Sequence, residues 1–323
     1  MKAVLCKTYG PPESLVVEDV PDPTPGAGQV LIDVRSCGIN FPDVLMIENK
    51  YQFRPPLPFA PGGEVAGVVS AVGEGVTRLK PGQRVLAMTG WGGFAEKVIA
   101  GETSVVPIPD AMDFETASAF LMTYGTSHYA LKDRGHLKAG ETLAVLGAAG
   151  GVGLAAVELG KTMGARVIAC ASSSEKLATC RAHGADECID YSQEDLKVRL
   201  KELTGGAGVD MVYDPVGGDF AEAAIRSMAW EGRFLVIGFT AGIPRVPLNL
   251  TLLKSCDIVG VFWGAFTARN PARHREHVRE LLEWWSAGRL KPLVSKRFGF
   301  GEAAAALREI SERRVQGKVV LVP

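Results

Sequence analysis

The chain has 323 residues, enough for two domains with sizeable cores, and carries 35 basic against 36 acidic residues for a formal net charge of −1. That balance, without a run of one sign, gives no support to nucleic-acid or membrane-surface binding as the main activity. Six scattered cysteines without a C-x-x-C pair, no signal-peptide pattern and no apolar run approaching the ~18 residues of a membrane span predict a cytoplasmic protein with free thiols.

In chain order, Met1–Cys6, Gln29–Arg35, Glu64–Val72 and Arg84–Met88 are β-branched or apolar runs. Pro21-Asp22-Pro23, Pro25-Gly26, Pro81-Gly82 and Gly90 to Gly93 separate them, which predicts an antiparallel, barrel-like domain. Phe114–Leu131 has helical spacing. From Glu141 the rhythm changes. Strands are predicted over Glu141–Leu146, Arg166–Ala171, Glu187–Ile189, Val209–Tyr213, Arg233–Ile237 and Asp257–Val261. Helices are predicted between them: one ending near Met163, then Glu175–His183, Glu194–Leu203 and Phe220–Trp230. Such alternation implies βαβ units and a parallel sheet covered on both faces. Pro271–Ala287 reads as a charged helix, and the tail adds another helix and the strand Lys318–Val322. The expected class is α/β. A β-barrel-type domain spans 1–121, a doubly wound nucleotide-binding domain 122–268, and a segment over 269–323 returns to the first domain.

The strongest motif is Leu146-Gly147-Ala148-Ala149-Gly150-Gly151-Val152-Gly153, which follows a strand and opens a helix, as a dinucleotide fingerprint requires. Gly150 admits the pyrophosphate close to the backbone, Gly153 lets the helix pack on the sheet, and amides at the helix start offer donors to phosphate. Ala148 replaces the usual first glycine. About twenty residues on, where an NAD-binding unit carries a carboxylate for the ribose 2′-OH, stands Ala171, followed by Ser172-Ser173-Ser174-Glu175-Lys176. Hydroxyls and an ammonium would hold a 2′-phosphate that a carboxylate would repel, so the expected cofactor is NADPH. Helix N-capping by Ser172 or Ser174 is the structural alternative, and both can hold together.

The A-A-G-G-V-G run resembles the medium-chain dehydrogenase/reductase superfamily, in its quinone oxidoreductase (zeta-crystallin-like) branch. So do Cys37-Gly38-Ile39-Asn40-Phe41-Pro42-Asp43, Pro61-Gly62-Gly63-Glu64-Val65-Ala66-Gly67 and Tyr213-Asp214-Pro215-Val216-Gly217-Gly218. The resemblance covers essentially the whole chain, in order. It implies a GroES-like domain, a Rossmann domain and an active site in the cleft between them. Where the alcohol dehydrogenase branch has a zinc cysteine this chain has Asn40, and where it has a zinc histidine this chain has Gly63. The four-cysteine structural zinc lobe is missing as well. A zinc-independent enzyme without a metal site is therefore expected. His274 and His277, three apart on a predicted helix, read as solvent-facing polar residues.

Carried over residue by residue, the resemblance puts Asn40, Phe41 and Asp43 in a turn against the nicotinamide ribose, Tyr51 at the substrate mouth and Thr126 near the nicotinamide. It puts Gly151 and Val152 at the pyrophosphate. Ser172, Ser173, Lys176 and Tyr191 surround the 2′-phosphate. Val216, Gly238 and Phe239 line the nicotinamide side, Phe262-Trp263-Gly264 offers backbone to the carboxamide, and Arg313 lies near the cofactor. Asn40 also reads as a turn residue, Tyr51 as half-buried packing, and Phe262 and Trp263 as dimer-interface residues. Asn40 and Tyr51 are the candidates for stabilising a developing oxyanion. Tyr124 is a weaker acid candidate, better read as core packing.

The expected activity is NADPH-dependent hydride transfer to a quinone or similar small conjugated carbonyl, since an electron-poor acceptor needs no metal. The alternatives are reduction of an enone or enoyl-thioester C=C bond, and a non-enzymatic NADPH-binding crystallin-like or adaptor role. A homodimer is expected through the apolar run Ile258–Trp263; membrane and nucleic-acid partners are not.

Overall fold

A computed structural model describes all residues, 1–323. Apolar alternation in the first segment produces β1 (Lys2–Leu5), β2 (Val16–Asp19) and β3 (Gln29–Gly38). A short helix, α1 (Phe41–Ile47), follows where the sequence suggested only a turn. Pro42 at the start of α1 explains the helix, because its fixed φ suits a first turn. Next come β4 (Glu64–Val72), β5 (Arg84–Met88), β6 (Lys97–Gly101), β7 (Val105–Pro107) and α2 (Phe114–Ser118). The predicted helix over Phe114–Leu131 continues in wider turns through Leu121–Gly125, α3 (Thr126–His128) and Tyr129–Arg134.

The middle segment alternates as expected: β8 (Thr142–Leu146), α4 (Gly151–Thr162), β9 (Arg166–Ala171), α5 (Ser174–Ala182), β10 (Glu187–Asp190), α6 (Leu196–Leu203) and β11 (Val209–Asp214). After α7 (Phe220–Arg226) the chain departs from its periodicity. The expected helix to Trp230 stops at Arg226, because β12 (Met228–Val236) starts there, Met228 pairing with Val209. Tertiary pairing overrides the local helical pattern. Then follow α8 (Asn249–Lys254), β13 (Asp257–Gly260), α9 (Trp263–Arg269) and α10 (Pro271–Ser286). The tail forms β14 (Val294–Gly299), α11 (Ala303–Ser311) and β15 (Lys318–Val322).

The chain divides into two units, Met1–Met122 with Pro292–Pro323, and Thr123–Lys291. The stretch to Lys291 stays with the second unit, because α10 packs on α9 and buries His277, Val278 and Leu281. Strands of the first unit form a sheet ordered β14-β15-β3-β4-β5-β7, with β6 paired to β3. Its core gathers Val30, Ile32, Val65, Phe94, Val319 and Leu321, among others. Every residue of β15 is buried, which suits an interior strand. The second unit holds a parallel sheet ordered β10-β9-β8-β11-β12-β13, the doubly wound order with its switch point between β8 and β11. All six cysteines are unpaired thiols, and no helix is long and apolar enough to cross a membrane.

Candidate active site

In the first unit, β3 runs out at Gly38 and α1 begins at Phe41, so Asn40 caps the junction at 8 % exposure. Its backbone N–H donates to Asp43 Oδ2 at 2.8 Å, and Asp43 Oδ1 accepts from Gly62 N–H at 3.1 Å. Asp43 therefore pins the start of α1 to the Pro61-Gly62-Gly63 turn. Burial pushes its carboxyl up to about 6, against the pull of its two backbone donors and of Lys318. Asn40 Nδ2 donates to Gly38 O at 3.1 Å and to Glu64 Oε2 at 3.0 Å, while Oδ1 accepts from Lys318 Nζ at 2.5 Å. Both amide hydrogens are thus engaged. This changes the expected role of Asn40, whose side chain has no donor left for an oxyanion.

Glu64 is fully buried and takes Met122 N–H on Oε1 at 2.8 Å. Beside it lies Cys37, also buried, whose thiol is pushed well up by desolvation, so it is no nucleophile. Tyr51 is half-buried, with its ring 5.8 Å from Phe53 and packed on the core. Burial and the nearby Asp43 charge raise its hydroxyl, which keeps it a neutral donor. Phe41, which opens α1, is partly exposed, and Arg313 is exposed with φ +57° between α11 and β15.

The glycine motif of the second unit lies between β8 and α4. A Cβ on Gly153 would sit 2.3 Å from Gly147 O and 2.9 Å from Ala148 Cα, so only glycine closes this turn. At Gly150 a Cβ would meet nothing nearer than Gly147 O at 3.4 Å, which leaves that side of the turn open. Gly151, Val152 and Gly153 form the first turn of α4, whose amides precede any intrahelical acceptor. Ser127 Oγ donates to Val152 O at 2.9 Å and pairs with Tyr213 Oη at 2.8 Å, holding Thr126 beside the loop. Such a cradle at a switch point fits a dinucleotide pyrophosphate.

Ala171 ends β9 fully buried, and Ser173 Oγ caps α5 by accepting Lys176 N–H at 3.3 Å. Lys176 Nζ stands 3.2 Å from Ser172 Oγ, so ammonium and hydroxyl share one exposed corner. Tyr191 joins them, its N–H donating to Ala171 O at 3.1 Å and its ring tilted on Phe220 at 4.5 Å. At the end of β11, Asp214 Oδ1 accepts from Val216 and Gly217 N–H at 2.8 and 2.9 Å, fixing the Asp-Pro-Val-Gly-Gly turn. Gly238 N–H bonds Asp214 O, and Phe239, 44 % exposed, follows. These segments all leave the carboxyl ends of parallel strands. Beyond β13, Phe262 is 49 % exposed, Gly264 is exposed, and Trp263 is buried against Gly125 and His274.

The two helix histidines face inward, contrary to the solvent-facing expectation. His277 is 1 % exposed with its ring centroid 4.5 Å from that of His128, and His274 meets the Trp263 ring at 5.6 Å. No group of three or more His, Cys, Asp or Glu side chains is placed to hold a metal. Tyr124 donates its hydroxyl to buried Glu158 at 2.7 Å, which also takes Lys291 N–H, so it belongs to the core.

The profile of the Alcohol dehydrogenase GroES-like domain matches residues 26–110, and that of the Zinc-binding dehydrogenase matches 151–286. The chain is 42 % identical over 325 residues to the Quinone oxidoreductase-like protein 2 homolog of Nematostella vectensis, covering 99 % of this chain and 88 % of the relative. The chain belongs to the medium-chain dehydrogenase/reductase superfamily. Within that superfamily, the Escherichia coli quinone oxidoreductase complexed with NADPH superposes with a TM-score of 0.94 at 29 % identity over the whole of both chains. A mycobacterial protein complexed with NADPH gives the same TM-score at 33 % identity, again over both whole chains. The protein is thus an oxidoreductase of the medium-chain type, with the GroES-like and Rossmann folds of that superfamily.

Sequence reasoning did not pick out Lys318 as a site residue. Its one signal was an ammonium opening an otherwise apolar strand, which reads equally as a solvated strand end.

Proposed function

We propose that the protein is a zinc-independent, NADPH-dependent reductase of quinones or similar conjugated carbonyls. The observation that carries the cofactor choice is the corner at the end of β9. There Ala171 leaves no carboxylate, and Lys176 Nζ and Ser172 Oγ lie 3.2 Å apart, suited to a 2′-phosphate. NADPH in the two solved relatives supports the same choice. Asn40 and Gly63 at the zinc-ligand positions, without a ligand cluster elsewhere, support catalysis without zinc.

The bound nicotinamide supplies the hydride. The chain's residues bind and orient. Amides of Gly151 and Val152 hold the pyrophosphate at the head of α4, and Ser172, Ser173, Lys176 and Tyr191 hold the adenosine phosphate. Asn40 keeps its turn in place, and Tyr51, neutral and half-buried, is the donor toward a developing oxyanion. The dimer reading rests on β13, an edge strand with Ile258 42 % exposed, adjoining exposed Leu248, Leu252 and Leu253 on and before α8.

The test is NADPH oxidation with 9,10-phenanthrenequinone, with crotonyl-CoA and with no acceptor, side by side. Turnover of the quinone is expected. Faster turnover of the thioester would replace this reading with an enoyl-thioester reductase. Tight NADPH binding with neither turnover would favour a binding role.

A further inference from the structure

The ammonium of Lys318 is buried at the start of β15, 5 % exposed, in a chain where nearly every other lysine reaches solvent. Its three hydrogens go to Ile39 O at 2.8 Å, Asn40 Oδ1 at 2.5 Å and Glu64 Oε2 at 3.4 Å. A buried lysine is costly unless paired and fully bonded, and this one is both. What it bonds is specific. Two acceptors belong to the junction between β3 and α1, and the third is the carboxylate that also holds Asn40 Nδ2. Lys318 Nζ donates to Asn40 Oδ1, which helps to settle which way the carboxamide faces.

We propose that Lys318 is a positioning residue for hydride transfer: it locks the Asn40 carboxamide and the turn into α1 in one conformation. The inference rests on the reductase reading for its kinetic consequence, but not for its structural one. Lys318 also balances two carboxylates, Glu64 and Asp43, of which Asp43 already sits high through burial. The remaining titratable groups of the cluster are the buried Cys37 thiol and the half-buried Tyr51, whose hydroxyl feels the Asp43 charge. Without the ammonium, Asp43 binds its proton more readily still, and one anchor of the turn is lost at a higher pH.

The experiment compares Lys318→Arg, Lys318→Gln and Lys318→Met with the unaltered protein. NADPH affinity, read by fluorescence titration, should stay within about threefold, because the cradle and the Ser172–Lys176 corner are elsewhere in the chain. For quinone reduction, kcat should fall about 10- to 100-fold in K318Q and K318M and be largely restored in K318R. The acid limb of the kcat profile should move to higher pH in the uncharged variants. Amides of residues 40–47 should exchange hydrogen about tenfold faster in K318Q. Should K318M fail to fold, the comparison of K318R with K318Q decides. Equal kcat in those two, or an unmoved acid limb, would overturn the proposal. Inactivity of the unaltered protein would refute the reductase reading alone. Exchange would then judge Lys318 by itself, unchanged rates over 40–47 overturning it and accelerated rates sustaining it.

Discussion

Two alanines three residues apart should fail in different ways. In Gly153→Ala the new methyl would lie 2.3 Å from Gly147 O and 2.9 Å from both Gly147 C and Ala148 Cα. These are backbone atoms of the same tight turn, so no side chain can swing aside, and the turn itself must open. Overpacking of this kind costs about 1–3 kcal/mol, against a helix-propensity gain of about 1 kcal/mol, so a net loss of up to about 2 kcal/mol is expected. For a protein of this size that lowers the melting temperature by up to roughly 8 °C. In Gly150→Ala the methyl meets only Gly147 O at 3.4 Å, an ordinary contact, and φ is −76°. The fold should tolerate it with a melting temperature unchanged or slightly raised. The methyl would nevertheless occupy the open side of the turn, where phosphate is expected, and weaken NADPH binding by about tenfold or more, or ~1.4 kcal/mol. Differential scanning fluorimetry with and without NADPH, together with a fluorescence titration, separates the two. The reasoning is refuted if G150A binds NADPH as tightly as the unaltered protein, or if G153A melts at the same temperature.

Lys176→Ala should weaken NADPH binding about tenfold or more and leave NADH binding unchanged, since one charge-assisted contact is worth about 1.5–3 kcal/mol; equal effects on both cofactors in steady-state kinetics would count against the 2′-phosphate corner. Burial holds the His128 imidazole down at about 4, with His277 beside it and Lys132 and Glu280 at its edge, and burial likewise holds His274 at about 4. The unfolded chain takes up these protons near pH 6.5 while the folded chain refuses them until about 4. Stability is therefore full above pH 6.5 and falls between 6.5 and 4, by on the order of 3 kcal/mol for His128. Melting curves from pH 7.5 to 4.5 should show this, with a shallower decline in His128→Gln; equal declines in both proteins would remove the histidine from the account. Elemental analysis of purified protein should find no stoichiometric zinc, and chelators should leave quinone reduction intact; activity lost to a chelator and restored by zinc would end the zinc-independent reading. Ile258→Lys at the edge of β13 should convert a dimer to a monomer by light scattering, whereas a monomeric mass for the unaltered, fully active protein would dismiss the dimer.

The parallel sheet was legible because its strands are local runs, each followed by a helix; β9 over Arg166–Ala171 falls where its run of six apolar-rich residues predicts. The nucleotide loop was legible for a related reason, since the residues that build it are contiguous from Gly147 to Gly153. The tethering around Asn40 was not. Its partner Lys318 lies 278 residues away, and no local pattern reports which carbonyl a distant ammonium will meet. The inward turn of His274 and His277 escaped for another reason. Helical spacing says that two residues share a face, but only the packing of α10 against α9 and His128 decides which face is covered. Trp230 reads as helical in the sequence but lies within β12, which opens on the pairing of Met228 with Val209.

The placement of β15 sets an order of assembly. This strand lies between β14 and β3, pairing parallel to one and antiparallel to the other, and it supplies Val319 and Leu321 to the core of the first unit. On the ribosome, residues 1–122 therefore emerge with an interior strand of their sheet still unmade. Residues 123–291 contain every strand of their own sheet and can close it first. During synthesis the second unit can complete its sheet while the first waits with its apolar strands uncovered. A premature stop before residue 318 would leave the second unit with its sheet complete, attached to a first unit that lacks an interior strand and is prone to aggregate.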